Sequence, residues 1–205
     1  MKPMFIVLEA LDGVGKTTLA QSLAHRVGGR AMNTPGRQLR QVSGAVLQGL
    51  GAHQEARCLF YAASVLARGA EARRIMDAGV SVVMDRYWLS TVSYARARGV
   101  TAALTEVESL IPVPDLTIVL VLDEEERRRR LQGRGYTEAD RETLDTAFRD
   151  RVVHEMVSAD RPAALRPSCV VDITGLSPDA ALERLLVEIE GFSMAAVRIS
   201  AVVTS

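Results

Sequence analysis

Short unbroken apolar runs alternate along the chain with longer stretches in which apolar residues recur every three or four positions. The runs fall at residues 4–8 (MFIVL), 80–84 (VSVVM), 116–122 (LTIVLVL) and 168–173 (SCVVDI), with a shorter one at 30–33 closed by Thr34-Pro35-Gly36. Apolar character on successive residues, rather than on every second one, marks strands buried on both faces, as in a parallel sheet. The helical pattern predicts helices over 17–27, 37–50, 54–78, 88–98, 102–111, 124–131, 141–159 and 178–190, with 133–140 a glycine-containing loop. Gly79, Pro112 and Pro114 supply further breaks. Strands and helices in alternation predict an α/β architecture, a sheet of about five parallel strands with helices on both faces. No internal repeat or low-complexity linker interrupts it, so a single domain is expected over residues 1–192. The small apolar residues beyond leave 193–205 as a tail of unassigned role, open to being an added strand, an oligomer contact or a remnant of expression.

With 205 residues, 48% of them hydrophobic and 24% charged, the chain can bury one sizeable core by itself. Its 25 basic and 25 acidic side chains cancel. That excludes a global field drawing it to nucleic acid or an anionic membrane, and makes any anion site local. No stretch approaches the roughly 20 consecutive apolar residues of a membrane span. Cys58 and Cys169, both inside apolar runs, fit buried free thiols in a reducing compartment, and the expected location is the cytoplasm. The histidines, His25, His53 and His154, share no metal-ligand spacing and are expected at surface or satisfied positions. Lysine occurs only at Lys2 and Lys16, while arginine serves as the general cation, so Lys16 is there for its own chemistry.

Lys16 lies in a glycine-rich segment, Glu9-Ala-Leu-Asp-Gly-Val-Gly-Lys-Thr-Thr18, between the first strand and the first helix. Backbone N–H groups of such a loop and of the helix N-terminus converge on one spot and hold phosphate without a basic patch. The pattern G-x-x-x-x-G-K-[ST] is met except that its first glycine is Ala10, at the strand exit. Asp12, Gly13, Val14, Gly15, Lys16, Thr17 and Thr18 are therefore the candidate ATP-binding residues, with Lys16 reaching the β- and γ-phosphates and the Thr17 hydroxyl a ligand for Mg²⁺. A guanine-reading Asn-Lys-x-Asp is excluded by the lysine count, and the chain is short for a motor ATPase. Phosphoryl transfer to a small molecule matches its size.

Further motifs follow in order: Thr34-Pro35-Gly36, Leu59-Phe60-Tyr61-Ala62-Ala63, Asp85-Arg86-Tyr87 with Ser90 and Tyr94, Pro114-Asp115-Leu116-Thr117, and Asp140-Arg141 with Phe148 and Arg151-Val152. Through these, from about Phe5 to Ile189, the chain resembles the thymidylate kinase family of nucleoside monophosphate kinases, whose fold is that of the P-loop NTPases. The resemblance implies transfer of the ATP γ-phosphoryl group to a pyrimidine deoxynucleoside monophosphate, dTMP to dTDP, with Mg²⁺ and in a homodimer. It implies that Arg86 grips the acceptor phosphate, a task that suits a guanidinium fork. Asp85 and Asp12 would help hold Mg²⁺ or its waters, with Asp12 where donor and acceptor meet. A lid is implied at about 127–141. No arginine follows Asp12 in the loop, so the chain resembles members whose catalytic arginine lies in the lid, and Arg134 and Arg141 are the candidates. Phe60 matches the residue that stacks on the acceptor base and Tyr94 the one against the sugar, and Arg37 and Ser64 join them in the acceptor site. Arg127, Arg128 and Arg129, with Glu124, Glu125 and Glu126 three positions earlier, are expected to form a solvated, self-paired helix face.

The family's base-reading arginine and glutamine are Ser64 and Ala95 here, and losing such groups relaxes or changes selection. Arg68 and Arg96 are the nearest candidate substitutes. The readings that follow are a thymidylate kinase with altered contacts, a kinase of a different or modified nucleoside monophosphate in a specialised pathway, and a nucleotide-binding regulatory module that has lost transfer. A deoxynucleoside kinase would show Glu-Arg-Ser in place of Asp85-Arg86-Tyr87. Leu59, Ala62, Ala63 and Leu66 form a stripe that either core burial or a two-fold contact would explain, and Trp88 is expected to pack under the lid hinge.

Overall fold

The first apolar run becomes β1 (Phe5–Glu9), buried along its whole length at the centre of a five-stranded parallel sheet. The other strands are β2 (Arg30–Asn33), β3 (Val82–Asp85), β4 (Leu116–Val121) and β5 (Cys169–Asp172), in the order β2-β3-β1-β4-β5. The helices are α1 (Lys16–Arg26), α2 (Arg37–Gly49), α3 (Gln54–Asp77), α4 (Trp88–Ala97), α5 (Thr105–Leu110), α6 (Glu124–Arg134), α7 (Glu138–Glu142), α8 (Thr146–Val157) and α9 (Pro178–Val203). This computed structural model describes residues 2–102, 104–158 and 168–203.

Alternate residues of β1 enter opposite layers, because successive strand side chains point to opposite faces. Ile6 and Leu8 join a cluster with Leu19 and Leu23 of α1, Val152 of α8 and Leu185 of α9. Phe5 and Val7 join Ala62 and Val65 of α3 and Val92 of α4. Apolar cover on both faces is what the unbroken runs required, and the arrangement is the P-loop NTPase fold.

Several boundaries differ from expectation for visible reasons. β3 starts at Val82 rather than Val80, since the N–H groups of Gly79 and Val80 turn back to the carbonyls of Met76 and Ile75 at the end of α3. α6 runs through Gly133 to Arg134, leaving only 135–137 irregular before α7, where Thr137 and Asp140 form a reciprocal cap. The helix expected over 141–159 is interrupted before α8, which starts where the Asp145 carboxylate accepts from the Phe148 N–H. α9 carries on past Gly191 to Val203, so the tail up to there extends the last helix and adds no strand. Trp88 is buried beside Phe5 and Val7 and donates to Glu108 of α5 at 3.3 Å, away from the lid segment. Cys58 is buried as expected, whereas Cys169 is half-buried on edge strand β5; both are free. Among the described residues no helix is long and apolar enough to cross a membrane.

Candidate active site

Ligands of open α/β sheets sit beyond the carboxyl ends of the strands, and there the ends of β1 and β3 bring the two strongest sequence motifs together. After β1 the chain turns through Gly13 and Gly15, whose φ angles of 89° and 99° lie in the region where only glycine is free of strain. Gly15 is the residue from which α1 starts. Ala10, at the motif's missing glycine, is buried and has no positive φ, so alanine costs nothing there. Lys16 is 5% exposed and donates to the Leu11 carbonyl at 2.7 Å. Burial and the neighbouring Arg86 charge push its ammonium down to about 8, against the pull of Asp12, Asp85 and Glu9.

Across the cleft, Arg86 leaves β3 with φ 65°, a left-handed conformation for a residue that carries a side chain. Its guanidinium donates to the Asp12 carboxylate at 2.7 Å and to the Ser90 hydroxyl at 3.1 Å. Burial by itself would raise the Asp12 carboxyl, but the charges of Arg86 and Lys16 more than reverse this and hold it well below the usual carboxylate range. What fixes the turn is Glu9, fully buried at the end of β1. It accepts from the N–H groups of Tyr87 and Ser90 at 3.0 and 3.1 Å and from the Ser90 hydroxyl. α4 has no side-chain cap from its own N-cap residue; Glu9, from strand β1, takes two of the N–H groups at its start instead. Burial pushes the Glu9 carboxyl up despite these bonds. In the sequence Glu9 showed only as the first residue of the glycine-rich segment, with no role of its own.

Thr17, at the first turn of α1, donates to Asp85 Oδ2 at 2.5 Å, while Asp85 Oδ1 is buried with no partner. A hydroxyl and a carboxylate oxygen left open beside a phosphate loop are the hard oxygen donors Mg²⁺ takes, and that ion is usually held by one or two carboxylates plus substrate phosphates. Among the described residues no group of three or more His, Cys, Asp or Glu forms an all-protein cage.

From this point a cavity of about 400 Å³ opens, with Asp12, Lys16, Asp85 and Arg86 at one end. Its walls include Thr91, Tyr94, Ala95 and Arg98 of the α4 segment and Gln54, Cys58 and Tyr61 of α3. Arg134 also lines it and pairs with the buried Asp140 at 2.6 Å. The other lid candidate, Arg141, is exposed and lies outside the cavity lining.

Three of the expected acceptor-site residues lie outside this lining. The cavity face of α3 carries positions 54, 58 and 61, one helical stripe, and Phe60 lies off it, edge-on to Tyr61 with ring centres 5.3 Å apart. Ser64 is buried and its hydroxyl is used up on the Tyr61 carbonyl at 2.6 Å. Arg37 lines an adjoining cavity of about 480 Å³ beside β2, together with Arg30 and Arg68, and the two cavities share Thr17 and Asp85. Neither proposed substitute lines the acceptor cavity: Arg68 is held by the Asn33 carbonyl and Glu71, and Arg96 pairs with Glu155 at 3.6 Å. Arg98, which the motifs did not single out, does line it.

The charged face of α6 is also only partly as expected. Arg128 and Arg129 pair along the helix with Glu124 and Glu125. Arg127 instead is 1% exposed. It spans from Glu124 to the Asp12 carbonyl at 2.9 Å and the Thr143 carbonyl at 2.8 Å, tying the phosphate loop to the turn after α7. Arg130 donates to the Val14 carbonyl at 3.1 Å and lines a cleft with Gly175 and Leu176 on the other side of the loop.

The family model for thymidylate kinase matches residues 8–164. The chain belongs to the thymidylate kinase family. A probable thymidylate kinase from Pyrococcus abyssi is 33% identical over 152 residues, covering 66% of this chain and 73% of that protein. Thymidylate kinase from Xanthomonas campestris pv. campestris is 32% identical over 204 residues, 85% of each chain. The fold matches the thymidylate kinase structures from Candida albicans (TM-score 0.70, 20% identity, 93% of this chain and 92% of that one) and Ehrlichia chaffeensis (TM-score 0.61, 19% identity, 92% and 99%). As a member of a kinase family the chain is a phosphotransferase.

Proposed function

We propose that the chain transfers the γ-phosphoryl group of ATP to dTMP, giving dTDP and ADP, with Mg²⁺ as cofactor. The observation that carries this reading is the Arg86–Asp12 pair, which joins the acceptor cavity to the phosphate loop beside Lys16. Transfer between two anions asks for positioning and neutralised charge, with little covalent chemistry from the protein. Loop N–H groups and Lys16 hold the donor phosphates, and Arg86 offers its fork to the acceptor phosphate, exchanging Asp12 for substrate oxygen as the substrate enters. An acceptor phosphate oxygen attacks the γ-phosphorus, the bond to the β-phosphate bridging oxygen breaks, and ADP leaves with that electron pair. The attacking oxygen is already anionic, so no general base is required. Thr17 and Asp85 are the residues that would hold Mg²⁺, which supplies charge neutralisation at the transferred group. Arg134, which lines the cavity and pairs with Asp140, is the lid arginine proposed to meet the transferred phosphate, and a lid closed over the bound phosphates would exclude water.

The two free cysteines support a reducing, cytoplasmic setting. Leu59, 53% exposed on α3, supports a homodimer through that helix, while Ala62 of the same stripe belongs to the core. The turn of Ser64 into its own helix and the apolar Ala95 favour, as a second reading, a different or modified nucleoside monophosphate.

The test is ADP formation from Mg-ATP with dTMP, dUMP, dCMP, UMP, CMP and thymidine as acceptors, with products identified by mass. Turnover led by dTMP is expected. Silence on dTMP with turnover of another monophosphate supports the second reading, and silence on all removes the assignment.

A further inference from the structure

We propose that Arg98 reads the acceptor base, donating to a ring carbonyl on the edge of the pyrimidine remote from the sugar. The inference deepens the monophosphate-kinase reading and rests on it. Ala95, at the position of one missing reader, cannot hydrogen-bond, but Arg98 lies three residues on and so shares its helix face one turn further. Both line the acceptor cavity.

The Arg98 side chain is fixed in that place from several sides. Glu142 of α7 takes its Nε at 3.1 Å and its Nη2 at 2.5 Å, a two-point pair that sets the guanidinium plane. The group lies 5.4 Å from the centre of the Tyr94 ring and 5.8 Å from that of Phe148. Cys58 and Tyr61 of α3 line the same cavity as Arg98. Nε and Nη2 are taken by Glu142, and among the described residues Nη1 has no hydrogen-bond partner, so a cavity-lining guanidinium keeps one nitrogen for a ligand. On α3 the Gln54 Oε1 is a buried acceptor without a partner, its amide nitrogen being spent on the Ala52 carbonyl. A guanidinium donates and never accepts. It therefore favours a base with a carbonyl at C4 and turns away one with an amine there. The unpaired Gln54 oxygen suits the adjoining N3–H of the same keto base.

The experiment compares dTMP with 5-methyl-dCMP, which share ring size, methyl group and sugar and differ in the C4 substituent and the N3 hydrogen. In the wild type kcat/KM favours dTMP. In Arg98→Leu that ratio falls by about 10- to 100-fold, the range for a lost charged hydrogen bond, while KM for ATP stays within about twofold. Arg98→Lys, which keeps the charge and loses the fork, gives an intermediate ratio, and Glu142→Gln moves it in the same direction by less. Because Arg98 also packs on Phe148, thermal midpoints are measured alongside, and the Lys variant carries the test if the Leu variant fails to fold. Arg40, an exposed arginine of α2 that lines the same cavity, is the control: Arg40→Ala leaves the ratio in place. A ratio unchanged in both Arg98 variants, a collapse in Arg40→Ala instead, or a wild type indifferent to the C4 group overturns the inference and leaves the kinase standing. A wild type with no transfer to any monophosphate overturns both.

Discussion

At the phosphate end of the acceptor cavity each charge is answered from another part of the chain. Asp12 of the loop meets Arg86 after β3, Arg86 meets Ser90 of α4, and Ser90 meets Glu9 of β1. At the base end the walls are Cys58, Ala95 and Tyr61, with one held cation, Arg98, and one unpaired amide oxygen, on Gln54. The first end is a connected network in which no member can be replaced alone without stranding a buried polar group. At the second, Arg98 and Glu142 hold each other, while Cys58, Ala95 and Tyr61 belong to no such network. Ala95, where the resemblance implies a polar reader, lies at this second end.

The most damaging way to test that division is at Lys16 and Arg86. Lys16→Ala and Arg86→Ala should each lower kcat on the order of 10³-fold or more, by analogy with removal of a key charge-stabilising donor, in a protein that still folds by circular dichroism. The loss should be equal for every acceptor that the wild type uses. A change in base preference in Arg86→Ala would break the comparison. Next comes Glu9. Glu9→Gln leaves its volume but weakens the grip on Tyr87, Ser90 and, through Ser90, Arg86, and kcat should fall by about 10- to 100-fold. Added to Arg86→Ala it should cost little more, because residues of one network are not additive. A full additional loss in the double variant would make Glu9 a general structural prop.

The smallest effect is one of pH. The Lys16 ammonium sits at about 8 instead of its ordinary 10.5. It is charged below about 8 and neutral above, so affinity for Mg-ATP should weaken several-fold as pH rises from 7 to 9. Affinity for the acceptor, read at the other end, should stay level. Stability moves the opposite way. Between about 8 and 10.5 the unfolded chain holds a proton that the folded one has released, so this residue makes unfolding harder as pH rises through that window. Titration calorimetry with Mg-ATP, and chemical denaturation of wild type against Lys16→Met, would show both signs.

Much of this was legible before any coordinates. β1 and β4 could be read because burial on both faces forces unbroken apolar runs, and the phosphate loop because a glycine pair, a lysine and a threonine at fixed spacing have one common use. The base end was less legible, since a motif gives residue order but not helix rotation. Phe60 and Ser64 match a pattern, yet α3 turns positions 54, 58 and 61 toward the cavity. Arg127 misled for a related reason. Acid and base spaced along a helix do predict self-pairing, and Arg127 does pair with Glu124. The carbonyls of Asp12 and Thr143 that draw it into the interior lie 115 and 16 residues away and leave no local trace.

The contact between the loop and α6 also limits what this lineage can become. A side chain at Gly13 would strike Leu131 at 2.7 Å and Arg127 at 3.2 Å, on a backbone already at φ 89°. Placing an arginine directly after Asp12 would therefore require substitutions on α6 in the same step. The freedom of position 13 is set by residues 127 and 131, on a helix more than a hundred positions away along the chain.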